Sequence, residues 1–320
     1  MIVKPRQMPL HLQKLDALLR RLPEYHARRQ DITEVVVKGR AGYRGEQAVE
    51  YPLSFLPSAD YLILHDLRLP YQNHYFQIDT LLLSKRFFLV LEIKNISGIL
   101  YFDSTFHQMI RTYEGKEEAF PDPILQVKRQ QEQLQLWLAH HRFLIPPLES
   151  LIVIATPRTI IKASPENLSV PQVVIHHANL LNKVTLFEKQ YVKEIFTRKQ
   201  LTSLAKRLQH SHVSLNQDVL KTYKINKDEL IKGVFCSNCL YIPMQRKQGK
   251  WVCPACTNIS LDAHLATLKD YALLCGCFAK NKEIREFLQL SSDSITKHIL
   301  RSAGVPYEGK NKGRVYHLSI

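Results

Sequence analysis

The segment Gln77-Ile78-Asp79-Thr80-Leu81-Leu82-Leu83-Ser84-Lys85-Arg86-Phe87-Phe88-Leu89-Val90-Leu91-Glu92-Ile93-Lys94 constrains this chain more than any other. Two apolar runs flank a short polar break at Lys85-Arg86, which predicts a β-hairpin with Ser84 facing Phe87. That turn fixes the register, because a slip of one residue would send every side chain to the other face. Counting outward, Asp79 falls opposite Glu92, and Gln77 falls opposite Lys94. Directly opposed residues share a face, and alternation places Lys94 on it too. Two acids and an amine therefore converge at the open end of the hairpin. The stretch 89–93 is apolar enough to predict a central strand, where charged residues need a reason.

Two carboxylates at cross-strand distance repel one another unless a cation lies between them. Oxygen-rich ligation of that kind suits Mg²⁺ or Mn²⁺. Such an ion lowers the pKa of a bound water and stabilises charge on a scissile phosphate. Lys94 would orient the attacking water or neutralise developing charge, and the Ile93 carbonyl could complete the coordination shell. Taken alone, a solvated strand face would read the same way.

The surrounding text predicts an α/β domain around one central sheet. Residues 1–40 form a basic helical segment, with Leu12, Leu15, Leu18, Leu19 and Leu22 at helical spacing. Gly42 to Glu46 are expected to open a helix running toward Phe55 and ended by Pro57-Ser58. Strands are expected over 61–67, 75–83 and 87–93, with further strands and turns over 95–120. A long helix should follow from Pro123 to near Phe143, then a buried strand over 148–155 and another over 170–176.

Four pieces of this region resemble the nuclease-related domain (NERD) family, a branch of the PD-(D/E)XK nuclease superfamily. They are Gly42-x-x-Gly45-Glu46, Gln77-Ile78-Asp79, Glu92-Ile93-Lys94-Asn95 and Asp122-Pro123-Ile124-Leu125-Gln126, in the family's order. The resemblance covers about residues 40–155. It implies a four-stranded mixed sheet flanked by helices, with the site at one sheet edge. It also implies that Asp79 and Glu92 are the main metal ligands and that Lys94 is the catalytic lysine. Glu46 would reach the metal directly or through water, and Gln126 would contact the metal-bound water or a DNA phosphate. Thr80 stands where the family often has His. Without the resemblance, Glu46 reads as a first-turn acid favoured by the helix dipole, and Gln126 as one of several solvated glutamines beside Gln130 and Gln133.

All six cysteines lie beyond residue 235. Cys236-x-x-Cys239 and Cys253-x-x-Cys256 are spaced as a zinc ribbon, whose four thiolates would hold a structural Zn²⁺. Its strands are expected over 240–244 and 250–252, with Arg246, Lys247 and Gln248-Gly249 at a basic tip. Cys275 and Cys277 read as buried small residues. Residues 281–318 suggest a helix-turn-helix with a wing. Asn281 and Ser292 would cap its helices, Ile295, Ile299, Leu300 and Ala303 would face inward, and Gly304 would stop the second helix. Ser294, Lys297, His298 and Arg301 would face outward, and Lys310, Lys312 and Arg314 would form the wing tip.

The domain order expected is therefore a basic helical segment (1–40), the nuclease-like domain (41–178), a helical connector (179–230), the zinc ribbon (231–260) and the winged-helix-like module (261–320). A net charge of +15 favours a polyanionic partner. No apolar run is long enough to span a bilayer, and the first ten residues lack a signal-peptide core, so a soluble cytoplasmic protein is expected. These readings point to a Mg²⁺-dependent nuclease acting on DNA and targeted by its C-terminal modules. The alternative is a non-catalytic nucleic-acid-binding or regulatory protein with a nuclease-like fold.

Overall fold

In the computed structural model, which describes residues 1–164, 167 and 169–319 apart from the side chain of Lys312, the hairpin has the expected register. Ser84 N–H donates to the Phe87 carbonyl, and Leu83, Leu82, Leu81 and Thr80 pair with Phe88, Leu89, Val90 and Leu91. The chain begins with β1 (Ile2–Lys4), α1 (Leu10–Arg21), α2 (Arg29–Ala48) and α3 (Glu50–Leu53). Next come β2 (Leu62–Tyr71), β3 (His74–Leu83), β4 (Phe88–Lys94), β5 (Ile99–Asp103), β6 (Gln108–Tyr113) and β7 (Lys116–Pro121). Then follow α4 (Pro123–His140), β8 (Leu148–Ile154), β9 (Ile160–Ala163), α5 (Val170–Val173), β10 (Val174–His176), α6 (Leu180–Gln190) and α7 (Arg198–Ser211).

Met1–Met8 and Gly39–Ser214 form one compact unit. Its main sheet has six strands in the order β1-β2-β3-β4-β8-β10, so β3 and β4 are central, not at an edge. This corrects the expectation of four strands with the site at one edge. A second sheet, β7-β6-β5-β9, accounts for residues 99–121 and 160–163. One face of the main sheet packs Leu81, Leu83, Phe88 and Val90 against Val127, Leu134, Trp137 and Leu138 of α4 and Leu201, Leu204 and Leu208 of α7. The other packs Leu82, Leu89, Leu91 and Val153 against Leu53, Leu180 and Val184. The sheet is thus buried on both sides, as continuous apolar strands require.

Pro9–Lys38 and Leu215–Ile320 form the second unit. It contains α1, α8 (Val219–Tyr223), a three-stranded sheet of β11 (Gln245–Lys247), β12 (Lys250–Val252) and β13 (Ile259–Ser260), and α9 (Ala263–Cys275). After these come β14 (Phe278–Lys280), α10 (Asn281–Leu288), α11 (Asp293–Ser302), β15 (Tyr307–Glu308) and β16 (Val315–His317), with sheet order β14-β16-β15. Cys236, Trp251 and Cys253 share one core with Leu268 and Tyr271 of α9, Ile284 and Phe287 of α10, and Ile299 and Leu300 of α11.

Several local expectations are corrected. Gly42 and Gly45 do not open a helix but lie inside α2, which begins at Arg29. Only Val174–His176 of 170–176 is a strand, because Pro171 has no N–H to give a ladder and the preceding turn is helical. Residues 240–244 carry no strand: Leu240 adopts a left-handed conformation closing the first cysteine turn, and pairing starts at Gln245. As expected, the hairpin tip is Gln248-Gly249, both at positive φ as a two-residue turn demands, whereas Arg246 and Lys247 lie in β11 and not at the tip. Asn281 is the first residue of α10, and the Glu283 carboxylate accepts from the Lys280 amide before it. Ile295 faces solvent; Thr296 takes the inward position with Ile299 and Leu300, while Ala303 is half-buried. Cys275 and Cys277 are only half-buried.

Candidate active site

Asp79 sits where the β3 ladder is interrupted. Pairing with β4 ends at Thr80–Leu91, and pairing with β2 steps from His65–Thr80 to Leu67–Ile78. The Ile93 amide, free of that ladder, donates to Asp79 Oδ2 at 2.8 Å. Strand alternation groups Asp79 with Leu81 and Leu83, on the face covered by α4. A cleft on that side is lined by Tyr75, Gln77, Asp79, Gln126, Arg129 and Gln133 among others.

Glu92 and Lys94 lie on the same face. Glu92 is 3% exposed in the core of β4. Its Oε1 accepts from Lys94 Nζ at 2.6 Å and from Gln126 Nε2 at 2.8 Å, and its Oε2 accepts from Gln130 Nε2 at 2.7 Å. Lys94 Nζ also donates to Gln126 Oε1 at 3.0 Å. Both glutamines come from α4, whose start is set by Asp122: its carboxylate accepts from the Ile124 amide, and Pro123 occupies the first turn, where no N–H is needed. The aspartate and proline of this motif therefore aim the glutamines at Glu92. Gln130, which the sequence presents as a solvated glutamine, is buried against the acid. Its place one helical turn after Gln126 was the available signal.

Glu46 is held differently. It lies in the last turn of α2, where the dipole disfavours an acid, so the first-turn explanation does not apply. Its Oε2 accepts from Arg6 Nη1, while Arg6 Nε donates to Glu50 Oε1 at 3.1 Å. Arg6 Nη2 donates to Thr80 Oγ1 at 2.9 Å and approaches the Asp79 carbonyl at 3.4 Å and His65 Nδ1 at 3.1 Å. Thr80 thus anchors Arg6. The side chain of Arg6 is 2% exposed, and nothing in the sequence signalled it. Gly45 lets α2 approach β4: a Cβ there would lie 2.2 Å from Asn95 Cβ, and Asn95 Nδ2 donates to the Ala41 carbonyl at 2.7 Å.

Electrostatics separate the acids. Burial raises Glu46 to about 7 against the pull of Arg6, with Asp66 and Glu92 adding repulsion. Asp79 as a whole residue is half-buried, but its carboxylate is desolvated; that burial, then the Glu92 and Glu46 charges, pushes it well above the usual carboxylate range. Lys94 pairs with Glu92 and Arg6 pairs with Glu46 and Glu50, whereas among the described residues Asp79 has no ion-pair partner. A desolvated acid with no paired cation, beside a second acid, has the donor chemistry of a hard divalent ion. The three carboxylates do not close into one tight cluster, however. Among the described residues, the single group of three or more His, Cys, Asp or Glu side chains with all ligand atoms within 4.8 Å is Cys236, Cys239, Cys253 and Cys256.

In that group Cys236 Sγ lies 3.6 Å from Cys256 Sγ, and Cys239 Sγ lies 3.5 Å from Cys253 Sγ. A tetrahedral ion with bonds of about 2.3 Å would hold its sulfurs about 3.8 Å apart, so the set fits a metal. Trp251 Nε1 donates to His264 Nδ1 at 3.1 Å, which ties that histidine to the core.

The basic residues expected at nucleic acid are placed unevenly. Lys247, Arg301 and Lys310 are exposed. Arg246 lies in β11, half-buried with its guanidinium 5.0 Å from the Trp251 ring centre. Lys297 pairs with Asp293 at 2.6 Å, and Arg314 stacks 4.1 Å from the Tyr307 ring centre. The side chain of Lys312 lies outside the described residues. Lys280 and Lys282, not singled out from sequence, join Lys297 and Arg314 around one groove.

A family model described as nuclease-related domain, NERD, matches residues 41–155. No curated protein and no solved structure matches. The matched stretch contains Glu46, Asp79, Glu92, Lys94 and Gln126, and Arg6 lies outside it. Among the described residues, no helix is long and apolar enough to cross a membrane.

Proposed function

We infer that this protein is a Mg²⁺- or Mn²⁺-dependent nuclease that hydrolyses phosphodiester bonds in DNA. The observation that carries the reading is Asp79: a desolvated carboxylate held by the Ile93 amide, without an ion-pair partner among the described residues, next to the Glu92–Lys94 pair on two central strands. Asp79 and Glu92 would hold the ion. When bound, it supplies Lewis-acid stabilisation of phosphate charge and a more acidic water. Lys94, tethered between Glu92 and Gln126, is placed to orient that water or to offset charge on the phosphate. Gln126 and Gln130 fix the Glu92 carboxylate, and Arg129 in the adjoining cleft offers a phosphate contact.

The second unit supports targeting to nucleic acid. Its two helices α10 and α11, joined by a short turn and followed by a basic hairpin, support reading this part as a helix-turn-helix with a wing. Exposed Arg301 and Lys310, with His298 and Ser294, are the side chains we assign to phosphates and base edges. The four cysteines would hold Zn²⁺ in a structural role, because four thiolates leave no open position for water.

Cleavage of circular and linear DNA, with and without Mg²⁺, tests the reading. The expected outcome is metal-dependent cleavage that Asp79→Asn, Glu92→Gln and Lys94→Ala each abolish while DNA binding survives. DNA binding without cleavage under any divalent metal would instead favour the non-catalytic alternative.

A further inference from the structure

The acids of this site are shared out between two kinds of cation. Glu46 and Glu50 have Arg6, whose guanidinium also bonds Thr80 and is almost wholly buried. Glu92 has Lys94, and among the described residues the Asp79 carboxylate receives a backbone amide and no paired cation. Arg6 reaches this position because β1 adds in parallel to the edge of β2, with Ile2 opposite Ile63 and Lys4 opposite Leu64. Lys4 Nζ then caps the His65 and Asp66 carbonyls at 2.9 and 2.8 Å, which locks the strand that delivers Arg6.

We propose that Arg6 is a resident cation of the active site, a positioning residue that permanently pairs Glu46 and Glu50, so that the centre takes one divalent ion, ligated by Asp79 and Glu92 and not by Glu46. The proposal rests on the nuclease reading above. A guanidinium cannot be deprotonated in the working pH range, and its planar fork satisfies two carboxylates at once. A metal ion competing for Glu46 would have to displace one arm of that fork and leave the buried guanidinium with Glu50 as its remaining carboxylate partner among the described residues. The N-terminal strand would thereby set metal stoichiometry for a catalytic motif that begins more than thirty residues later.

The test is Mn²⁺ titration of the full-length protein by calorimetry and by electron paramagnetic resonance, with zinc already bound and thermal melting as the folding control. Wild type should bind one Mn²⁺ at the carboxylate site. Glu46→Gln, which keeps an acceptor for Arg6, should change the Mn²⁺ dissociation constant by less than about tenfold, whereas Asp79→Asn should raise it by about a hundredfold or more. Arg6→Gln should free Glu46 and either tighten Mn²⁺ binding or add a second ion, and Arg6→Lys should restore single occupancy. Glu46→Gln losing Mn²⁺ as fully as Asp79→Asn, or Arg6→Gln folding normally with unchanged binding, would overturn the role of Arg6 while leaving the nuclease reading intact. A wild-type protein that binds no Mn²⁺ would end both.

Discussion

Replacing Gln130 by Met isolates the contribution of a buried side chain whose amide holds the Glu92 carboxylate. Gln130 Nε2 donates to Glu92 Oε2 at 2.7 Å, and among the described residues no other donor reaches that oxygen. A hydrogen bond to a charged acceptor is worth about 1.5–3 kcal/mol, which converts at about 1.4 kcal/mol per decade into about 10–100-fold in the affinity of a metal that Glu92 ligates. Stability should fall as well, by about 1–3 kcal/mol, because Met leaves the buried Glu92 Oε2 without its donor. Part of that loss is offset, since among the described residues Gln130 Oε1 is buried without a partner, and Met removes this unsatisfied acceptor while filling similar volume. The assay is cleavage rate against Mg²⁺ concentration, beside Mn²⁺ calorimetry and thermal melting. The half-saturating metal concentration should rise by one to two decades on the scale just given, with the rate at saturating metal changed less and the protein still folded at the assay temperature. Unchanged metal dependence in the folded variant would refute the reasoning.

Three further outcomes follow from the packing and charge of the two units. Asp270→Ala strips the partner from Arg21, which is fully buried and bonded to Asp270 at 2.9 Å, and should cost about 3–5 kcal/mol in urea unfolding; Arg21→Met with Asp270→Leu should recover most of it. Gly45→Ala drives a Cβ to 2.2 Å from the Asn95 Cβ, an atom that cannot swing away, and should destabilise by about 1–3 kcal/mol with activity lowered at permissive temperature. His65 is depressed to about 3 by burial first and the Arg6 and Lys4 charges next. The unfolded chain therefore takes up a proton that the folded chain refuses, and stability falls as pH drops from the ordinary histidine value of about 6.5 toward 3, by at most about 1.4 kcal/mol per unit. Urea midpoints at several pH values in that window should fall less steeply for His65→Gln than for wild type, and equal slopes would count against the assignment.

The parts of this architecture that were legible in the sequence are those governed by short-range rules. Ser84-Lys85-Arg86 fixed a register that carried Asp79, Glu92 and Lys94 to one face, because strand alternation depends only on counting. Cys-x-x-Cys spacing located the sulfur cluster for the same reason. Boundaries failed where a local rule competed with tertiary contact. Gly42 and Gly45 look like helix-opening residues, and each weakens a helix interior by about 0.5–1 kcal/mol relative to Ala, yet α2 runs through them because Gly45 admits Asn95. Gln130 reads as solvated because an amide on a helix is solvated by default, and only the arrival of β4 makes it a buried donor to Glu92.

Arg6 illustrates the harder class, in which charge is balanced over the whole site and not within a motif. Its partners Glu46, Glu50 and Thr80 lie 40, 44 and 74 residues away, joined through a strand of three residues. Among the described residues, the acids that bond or act electrostatically within the centre are Glu46, Glu50, Asp66, Asp79 and Glu92, and the bases are Lys4, Arg6 and Lys94, with Arg129 set apart in the adjoining cleft. Fully ionised, that set carries two uncompensated negative charges, which one divalent ion would cancel. A DNA phosphate could then approach a neutral centre, whereas a second divalent ion would meet carboxylates already committed to Arg6 and Lys94. On this argument the N-terminal strand and the Glu-x-Lys motif are two halves of one charge balance, and removing either should alter how many metal ions the site accepts before it alters how tightly DNA is held.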